Sequence, residues 1–442
     1  MILLAVSTFC TDDGRIIFFN KVGVFLLTIS MLLWIFYNTE KWNLAKFLRS
    51  IFDTCIGALG EIGTPFADAM WYVKNKLDKK NSKYLYALIG LVVTIPLFII
   101  VLLLLTSADI VFKNMADNVL SGFKFNNIIL TVWLVFFMFV ASYGILVLLC
   151  RRPIKEEIKD KRTGEPLIAI PVATVLSLLY ILFSGVQILY LFMGNMELPA
   201  GYTYAEYARE GFFQLLAVSV VNLIIVLLSL SYFRESKVLK AVLTVMSLCT
   251  FIMIASSAMR MIIYIQYYYL TFLRIFVLWA LVVLTLLFGG IVISIFRKRF
   301  PLFRYCCVAV TCCYLLLSFS HPDYWIAKVN VANVEREETQ DSFFKGEPYA
   351  DLHYLNDLCA DAAPVLVPWL AEAGDDQQLY GVLAQILGAV QDNGAQDRVS
   401  EYVHRMKARN EEYDGWLQFN VSRGVAKRLI ARLCIPNGYL YK

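Results

Sequence analysis

Histidine is scarce in this chain: His321, His353 and His404 are the only three among 442 residues. That scarcity rules out an HExxH zinc site and leaves little imidazole for proton transfer. No GxxxxGK[ST] loop cradles a phosphate, and no GxSxG elbow presents a nucleophilic serine. Without an acid, base or nucleophile constellation, the chain is expected to be non-enzymatic and to need no cofactor. Charge is scarce too. Only 17% of residues are charged while 59% are hydrophobic, a balance that ordinary soluble domains do not reach.

What is present is a series of apolar runs. A hydrocarbon core about 30 Å thick needs roughly 20 apolar residues per helix, and such runs recur at about residues 16–37, 84–106, 127–149, 167–193, 212–233, 238–259, 272–296 and 303–319. The expected fold is therefore all-α: a polytopic bundle of about eight transmembrane helices over residues 1–319, followed by a small helical soluble domain over 320–442. The apolar start MILLAVSTFC lacks a basic leader and a cleavage site, so it reads as a retained stub of a preceding helix. Pro96 is expected to kink the second span.

Residues of about 41–80 interrupt the series with two amphipathic helices separated at Pro65. Leu44, Leu48, Ile51, Cys55, Leu59 and Ile62 recur at three- and four-residue steps. Ahead of the basic cluster KNKLDKKNSK, these helices suit either the anionic inner leaflet or a partner helix.

Lys and Arg alternate between successive connections: eight in 38–83, two in 107–126, six in 151–166, one in 194–211, three in 234–240, one in 260–271 and four in 297–304. By the positive-inside rule the odd-numbered connections are cytoplasmic, and both termini and the C-terminal domain are extracytoplasmic. The expected location is the cell (plasma) membrane. Beyond His321 acidic residues outnumber basic ones, which argues against nucleic-acid binding. The partners expected are membrane lipids and a protein docked on the C-terminal domain.

Ten cysteines are present. The quartet in CCVAVTCC lacks CxxC spacing and nearby His or carboxylate ligands, so no metal site is expected there. Cys359 and Cys434 are the pair available for a disulfide in an oxidising compartment.

Glycine and proline are both missing between Val238 and Phe288, where an unbroken helix would run about 75 Å, far beyond a bilayer. A turn is required without the usual breakers, and Tyr267, Tyr268 and Tyr269 are the most polar gap, with Thr271 as the next N-cap. Arg274 then falls at the third helical position, where the macrodipole disfavours a cation. It is expected to meet Asp109, Glu206 or Glu210, an anionic headgroup or ligand, or to snorkel to outer phosphates. In ELPAGYTYAEYAREGFFQLL, Thr203 and Glu206 form a capping box that opens a helix with Glu206, Arg209 and Glu210 on one face. That helix suits an interfacial role or a polar lid. With Arg260, these charges make the candidate polar cluster Asp109, Glu206, Arg209, Glu210, Arg260 and Arg274. In SHPDYW, His321 reads as a solvent-facing or interfacial residue rather than a ligand.

The segments TSADIVF, PAGYTYAEYAREGFFQLL, YYYLTFLRIFVLW, HPDYWIAKVNVAN and DLHYLNDLCADAAPVL resemble, in the same order, those of an uncharacterised bacterial polytopic membrane family of the DUF4173/DUF4153 type. The resemblance runs from about residue 84 to the C-terminus and implies the same bundle-plus-tail architecture without an activity. Members usually read Tyr-Gly-Leu-Thr where this chain has Tyr268, Tyr269, Leu270 and Thr271. They also carry further apolar spans upstream, so Met1 is expected to lie inside a longer architecture. Two functions remain: a non-enzymatic sensing, scaffolding or assembly protein, or a transporter or lipid-handling protein with Asp109, Arg209, Arg260 and Arg274 lining an outward-facing cavity.

Overall fold

A computed structural model describes residues 1–38, 42, 44–76, 125–151, 164–189, 204–297, 300–339, 354–375, 402–403, 405–409 and 419–433, with isolated positions between 90 and 105. The described residues are almost entirely helical, with one isolated bridge between Gly164 and Phe233. Seven of their helices are long and apolar enough to cross a membrane, which makes the chain an all-α polytopic bundle. Of the spans expected from sequence, 84–106 is described only at isolated positions, and Pro96 is not among them.

The chain divides into two compact units, Met1–Phe25 with Lys159–Lys442, and Leu26–Ile158. In the smaller unit the latter part of α2 (Gly14–Phe36) is followed by α3 (Leu44–Gly60), α4 (Thr64–Lys76) and α5 (Phe125–Arg151). Helix α3 packs on α5 where small residues permit it: a Cβ added at Gly57 would lie 2.7 Å from the Leu148 side chain. It buries the small residues Ser50, Thr54 and Ala58 and packs Phe47, Ile51 and Cys55 on the core of Ile29, Leu33 and Leu149, while Phe52, Ile56 and Leu59 are exposed. That outward apolar stripe is what a lipid leaflet accepts. Pro65 does not break the pair; the break is at 61–63 and Pro65 occupies the first turn of α4, where its missing N–H is harmless. Asp68 ties α4 to α5 by accepting from Tyr143 Oη at 2.8 Å and Arg151 Nη2 at 2.9 Å.

The larger unit is organised around α8 (Lys237–Tyr268), packed by α6 (Pro166–Gln187), α7 (Tyr204–Tyr232) and α9 (Phe272–Phe296). Between helices in lipid there is no apolar driving force, so small and hydrogen-bonding residues mark the contacts. Ser219, Asn222, Ser247, Thr250, Ser256 and Ser257 are all fully buried here. Asn222 Nδ2 donates to Thr250 Oγ1 at 3.0 Å, Ser257 Oγ to the Phe212 carbonyl at 3.1 Å and Ser256 Oγ to Gln187 Oε1 at 2.6 Å.

The expected breaker-free turn is found at 269–271, with Thr271 at the N-cap position of α9. Tyr269 takes φ 65°, ψ 176°, a region that glycine enters freely and other residues enter under strain. Two features hold it there. Its ring is buried, 3% exposed, in a core shared with residues 326–430. Asn330, fully buried, grips the next residue with both ends of its amide: Leu270 N–H donates to Oδ1 at 2.7 Å and Nδ2 donates to the Leu270 carbonyl at 2.9 Å.

Helix α10 (Leu302–Phe319) returns and stops at Ser320 and His321, after which Pro322 opens α11 (Pro322–Thr339). Proline disfavours helix in the residue before it, and His321 takes φ 49° to make the corner. The C-terminal cap follows as α12 (Tyr354–Asp357), a 3-10 turn at Ala360–Ala362, α13 (Ala363–Asp375), helical residues around Met406, and α14 (Val421–Leu433). Its core is Ile326, Leu358, Leu366, Tyr402, Ala426 and Ile430 together with Tyr269 and Leu270, so the cap is built on the α8–α9 turn. Helix α1 (Ile2–Cys10) packs on α10 and α14.

Candidate functional site

Four carboxylates of the larger unit, Asp12, Asp13, Asp323 and Asp361, are each 1–4% exposed. Burial of that depth is sustainable only where each negative charge has partners. The turn TDDGR between α1 and α2 supplies two of them. Asp13 is the N-cap of α2, accepting from the Arg15 N–H at 2.9 Å. Arg15 returns along its own turn to the Asp13 carboxylate, Nε and Nη2 each at 2.9 Å, while Nη2 also donates to Asp323 and Nη1 to Tyr354 Oη at 2.7 Å. Its guanidinium lies 3.9 Å from the centre of the Phe272 ring. Asp12 points the other way, accepting from Arg423 Nε at 2.6 Å and Arg409 Nη1 at 3.2 Å.

Asp361 completes the seam from the 3-10 turn. It accepts from Thr11 Oγ1 and from the Asp12 N–H at 2.9 Å, and it faces His321 Nδ1 at 3.1 Å. Asp323 in the first turn of α11 accepts the Cys359 N–H at 2.9 Å. Asn420 Nδ2 donates to the Thr11 carbonyl and Ser422 Oγ to the Cys10 carbonyl, both at 2.7 Å. The N-terminal turn, the α10–α11 corner, the 3-10 turn and the start of α14 are thereby closed into one ion-paired seam. Beside it, between α1, α2 and α10, Asn20 gathers a second network: Oδ1 accepts from Tyr314 Oη at 2.7 Å and Ser318 Oγ at 2.8 Å, and Nδ2 donates to Ser7 Oγ at 3.2 Å and Thr8 Oγ1 at 3.1 Å.

The hydrogen bond to Asp361 raises the pKa of His321, partly offset by burial. Burial alone would raise Asp361; hydrogen bonds from His321, Ser422, Thr11 and the Asp12 amide outweigh it and hold that carboxyl below the usual range. Burial pushes Asp323 up, against the pull of Arg15. The His321 contribution to stability is therefore complete below its ordinary pKa of about 6.5 and is lost as pH rises through the raised folded value. The Asp361 contribution is present above about 3.9 and is lost as pH falls through its lowered value, while Asp323 adds a decline in stability with rising pH just above about 3.9. The melting temperature of the purified protein is expected to fall as pH rises above about 6.5, and His321→Gln to flatten that decline. An identical slope in the variant would remove His321 as its source.

Sequence reasoning looked elsewhere. Asp109 lies outside the described residues, as do the side chains of Glu206, Arg209 and Glu210, together with Thr203. Arg260 was expected in a connection, but α8 runs eight residues past it and it is buried in the bundle, with Nη2 3.3 Å from Gln187 Oε1. Its guanidinium fills the space where Gly211 has no side chain. Arg274 stands at the third position of α9 as expected, and its described partners are the Tyr268 and Tyr269 carbonyls and the face of Tyr264 at 4.3 Å. The C-terminal end of α8 carries partial negative charge, which favours a cation at that place. These two arginines and the seam are separate features. His321, read from sequence as solvent-facing or interfacial, is half-buried and bonded to Asp361. Cys359 is a free buried thiol, and Cys434 lies outside the described residues. Among the described residues no cluster of His, Cys, Asp or Glu is arranged to hold a metal.

The signal that was available is TDDGR itself: four polar residues around Gly14 between two apolar runs, with an aspartate one residue ahead of the glycine. No curated protein and no solved structure matches the chain. A family model does match, over residues 1–368, and takes in Thr11, Asp12, Asp13, Arg15, His321, Asp323 and Asp361 while ending before Arg409 and Arg423. On that match the chain belongs to the family described as Domain of unknown function (DUF4153).

Proposed function

We propose that this integral membrane protein is non-enzymatic and serves in sensing, scaffolding or assembly at the cell membrane, through a C-terminal helical cap on the extracytoplasmic side. The observation that carries the reading is the seam. Its four buried aspartates are engaged by arginines, histidine and backbone amides from distant segments, an arrangement that fastens a cap. The alternation of Lys and Arg between connections supports the orientation.

In a cysteine-free background, single cysteines at Ala408 and Glu235 test it with an impermeant thiol reagent on intact cells. Labelling at 408 and protection at 235 are expected; the reverse pattern overturns the orientation. Purification from native membrane is expected to bring a protein partner with the full chain and to lose it when the cap is perturbed by Arg15→Met. Retention by that variant counts against the cap as the docking element.

Transport or lipid handling is the second reading, favoured by Arg260 buried inside the bundle, since an intramembrane charge commonly marks a pathway. A cysteine at Ser256 that labels from the outer side would favour it; the first reading expects none.

A further inference from the structure

A cavity of about 420 Å³ opens beside the seam, walled by Cys10, Trp325, Pro364, Val421 and Val425, with the His321–Asp361 pair at its polar end. Its size and mostly apolar lining with a few convergent polar groups are those of ligand sites. With Nδ1 turned to Asp361, Nε2 is the nitrogen left to face an occupant. Both Asp361 oxygens are already engaged by Thr11, the Asp12 amide and His321, so the carboxylate's acceptor sites are occupied from within the seam. Lys328 is not in the lining but stands one ring away from it: its Nζ lies 5.3 Å from the centre of the Trp325 ring and 5.9 Å from that of Tyr324, both of which line the cavity.

The surroundings decide what enters. The cavity begins at Ser320, immediately beyond the membrane-length helix α10, whose Leu316 and Phe319 are exposed. Around it Phe9, Phe419, Val421 and Trp325 are exposed as well, with the rings of Phe9 and Phe419 5.7 Å apart. This apolar collar continues the exposed apolar surface of α10, and tryptophan is enriched in the headgroup layer of membranes. A polar end carrying His321, with Lys328 one ring away, beside an apolar collar matches an amphipathic anion.

We propose that this cavity binds one anionic glycerophospholipid, its phosphate held by His321 and Lys328 and its acyl chains lying along the collar of Phe9, Phe419, Val421 and Trp325. The inference deepens the reading of the cap as a sensing and assembly element, giving it a membrane ligand.

The test titrates the full-length protein in neutral detergent with phosphatidylglycerol, phosphatidylcholine or inorganic phosphate and counts bound molecules by native mass spectrometry. Phosphatidylglycerol is expected to bind about tenfold more tightly than phosphatidylcholine, and His321→Gln to remove about that factor, the usual effect of losing a hydrogen bond to a charged group. Val425→Trp, which fills the cavity without touching its polar end, is expected to abolish the adduct. Slow labelling of buried Cys359 checks that each variant is folded. Equal binding of the two lipids, wild-type binding by both variants, or competition by inorganic phosphate as effective as that by phosphatidylglycerol would each overturn the proposal. Binding in detergent is independent of membrane orientation, so a failed topology test and a failed lipid test are distinguishable.

Discussion

Arg15→Met is expected to lower the stability of the larger unit by about 3 kcal/mol. Removing one partner from a buried ion pair generally costs about 3–5 kcal/mol, because the other charge is left without compensation. Here two carboxylates, Asp13 and Asp323, face the same guanidinium, with side-chain exposures of 2% and 1%. Arg15 itself is 37% exposed, and solvent screening on that side puts the effect at the lower end of the range. The measurement is heat- or denaturant-induced labelling of Cys359, kept as the single thiol, in the detergent-solubilised protein. Asp323→Asn added to Arg15→Met is expected to recover part of the loss, since one orphaned charge is then removed. A double variant no more stable than the single one would contradict the pairing.

Asn330→Leu comes next. The substitution keeps the volume but strips the Leu270 N–H and carbonyl of their partner in a buried site, and each unsatisfied group costs roughly 1–3 kcal/mol. A loss of about 2–6 kcal/mol is expected, followed by the same Cys359 probe. Strain at Tyr269 adds to the vulnerability, because a residue held in a glycine-favoured region costs on the order of 1–3 kcal/mol and persists only where its surroundings over-determine it. A stability within about 0.5 kcal/mol of wild type, the range of a bland surface change, would mean that the turn holds itself.

The two predictions differ in how far the sequence announces them. The turn was legible at Tyr267–Thr271, because the length of an unbroken helix is fixed by geometry and the bilayer by its thickness; only the polar tyrosine stretch and Thr271 were left to end one helix and start the next. What was not legible is the clamp, since Asn330 sits 60 residues away in a helix whose apolar pattern gives no hint of a turn to hold. The same holds more strongly for the seam. Asp12, Asp323, Asp361 and Arg423 each read locally as a cap, a first-turn acid or a surface charge, and only the folded chain shows that they share one buried site. Arg260 and Arg274 drew attention for the opposite reason: a charge in an apolar run is conspicuous by itself. Cap helices, by contrast, end in ordinary helix punctuation and were expected as a bundle, though not as one rooted on the α8–α9 turn.

The seam also sets an order of assembly. Asp12 and Arg423 are 411 residues apart, so the acidic turn leaves the ribosome long before its cation is made. At about 5–20 residues per second this wait lasts roughly 20–80 s, during which every intervening span must be inserted while Asp12 lacks Arg423. Contacts of such separation close late, because loop-closure entropy has to be met before they form. The last ion pair of the seam thus reports that the whole bundle has been built: a chain that has lost α14 keeps its membrane helices and leaves Asp12 without the arginine that closes the cap.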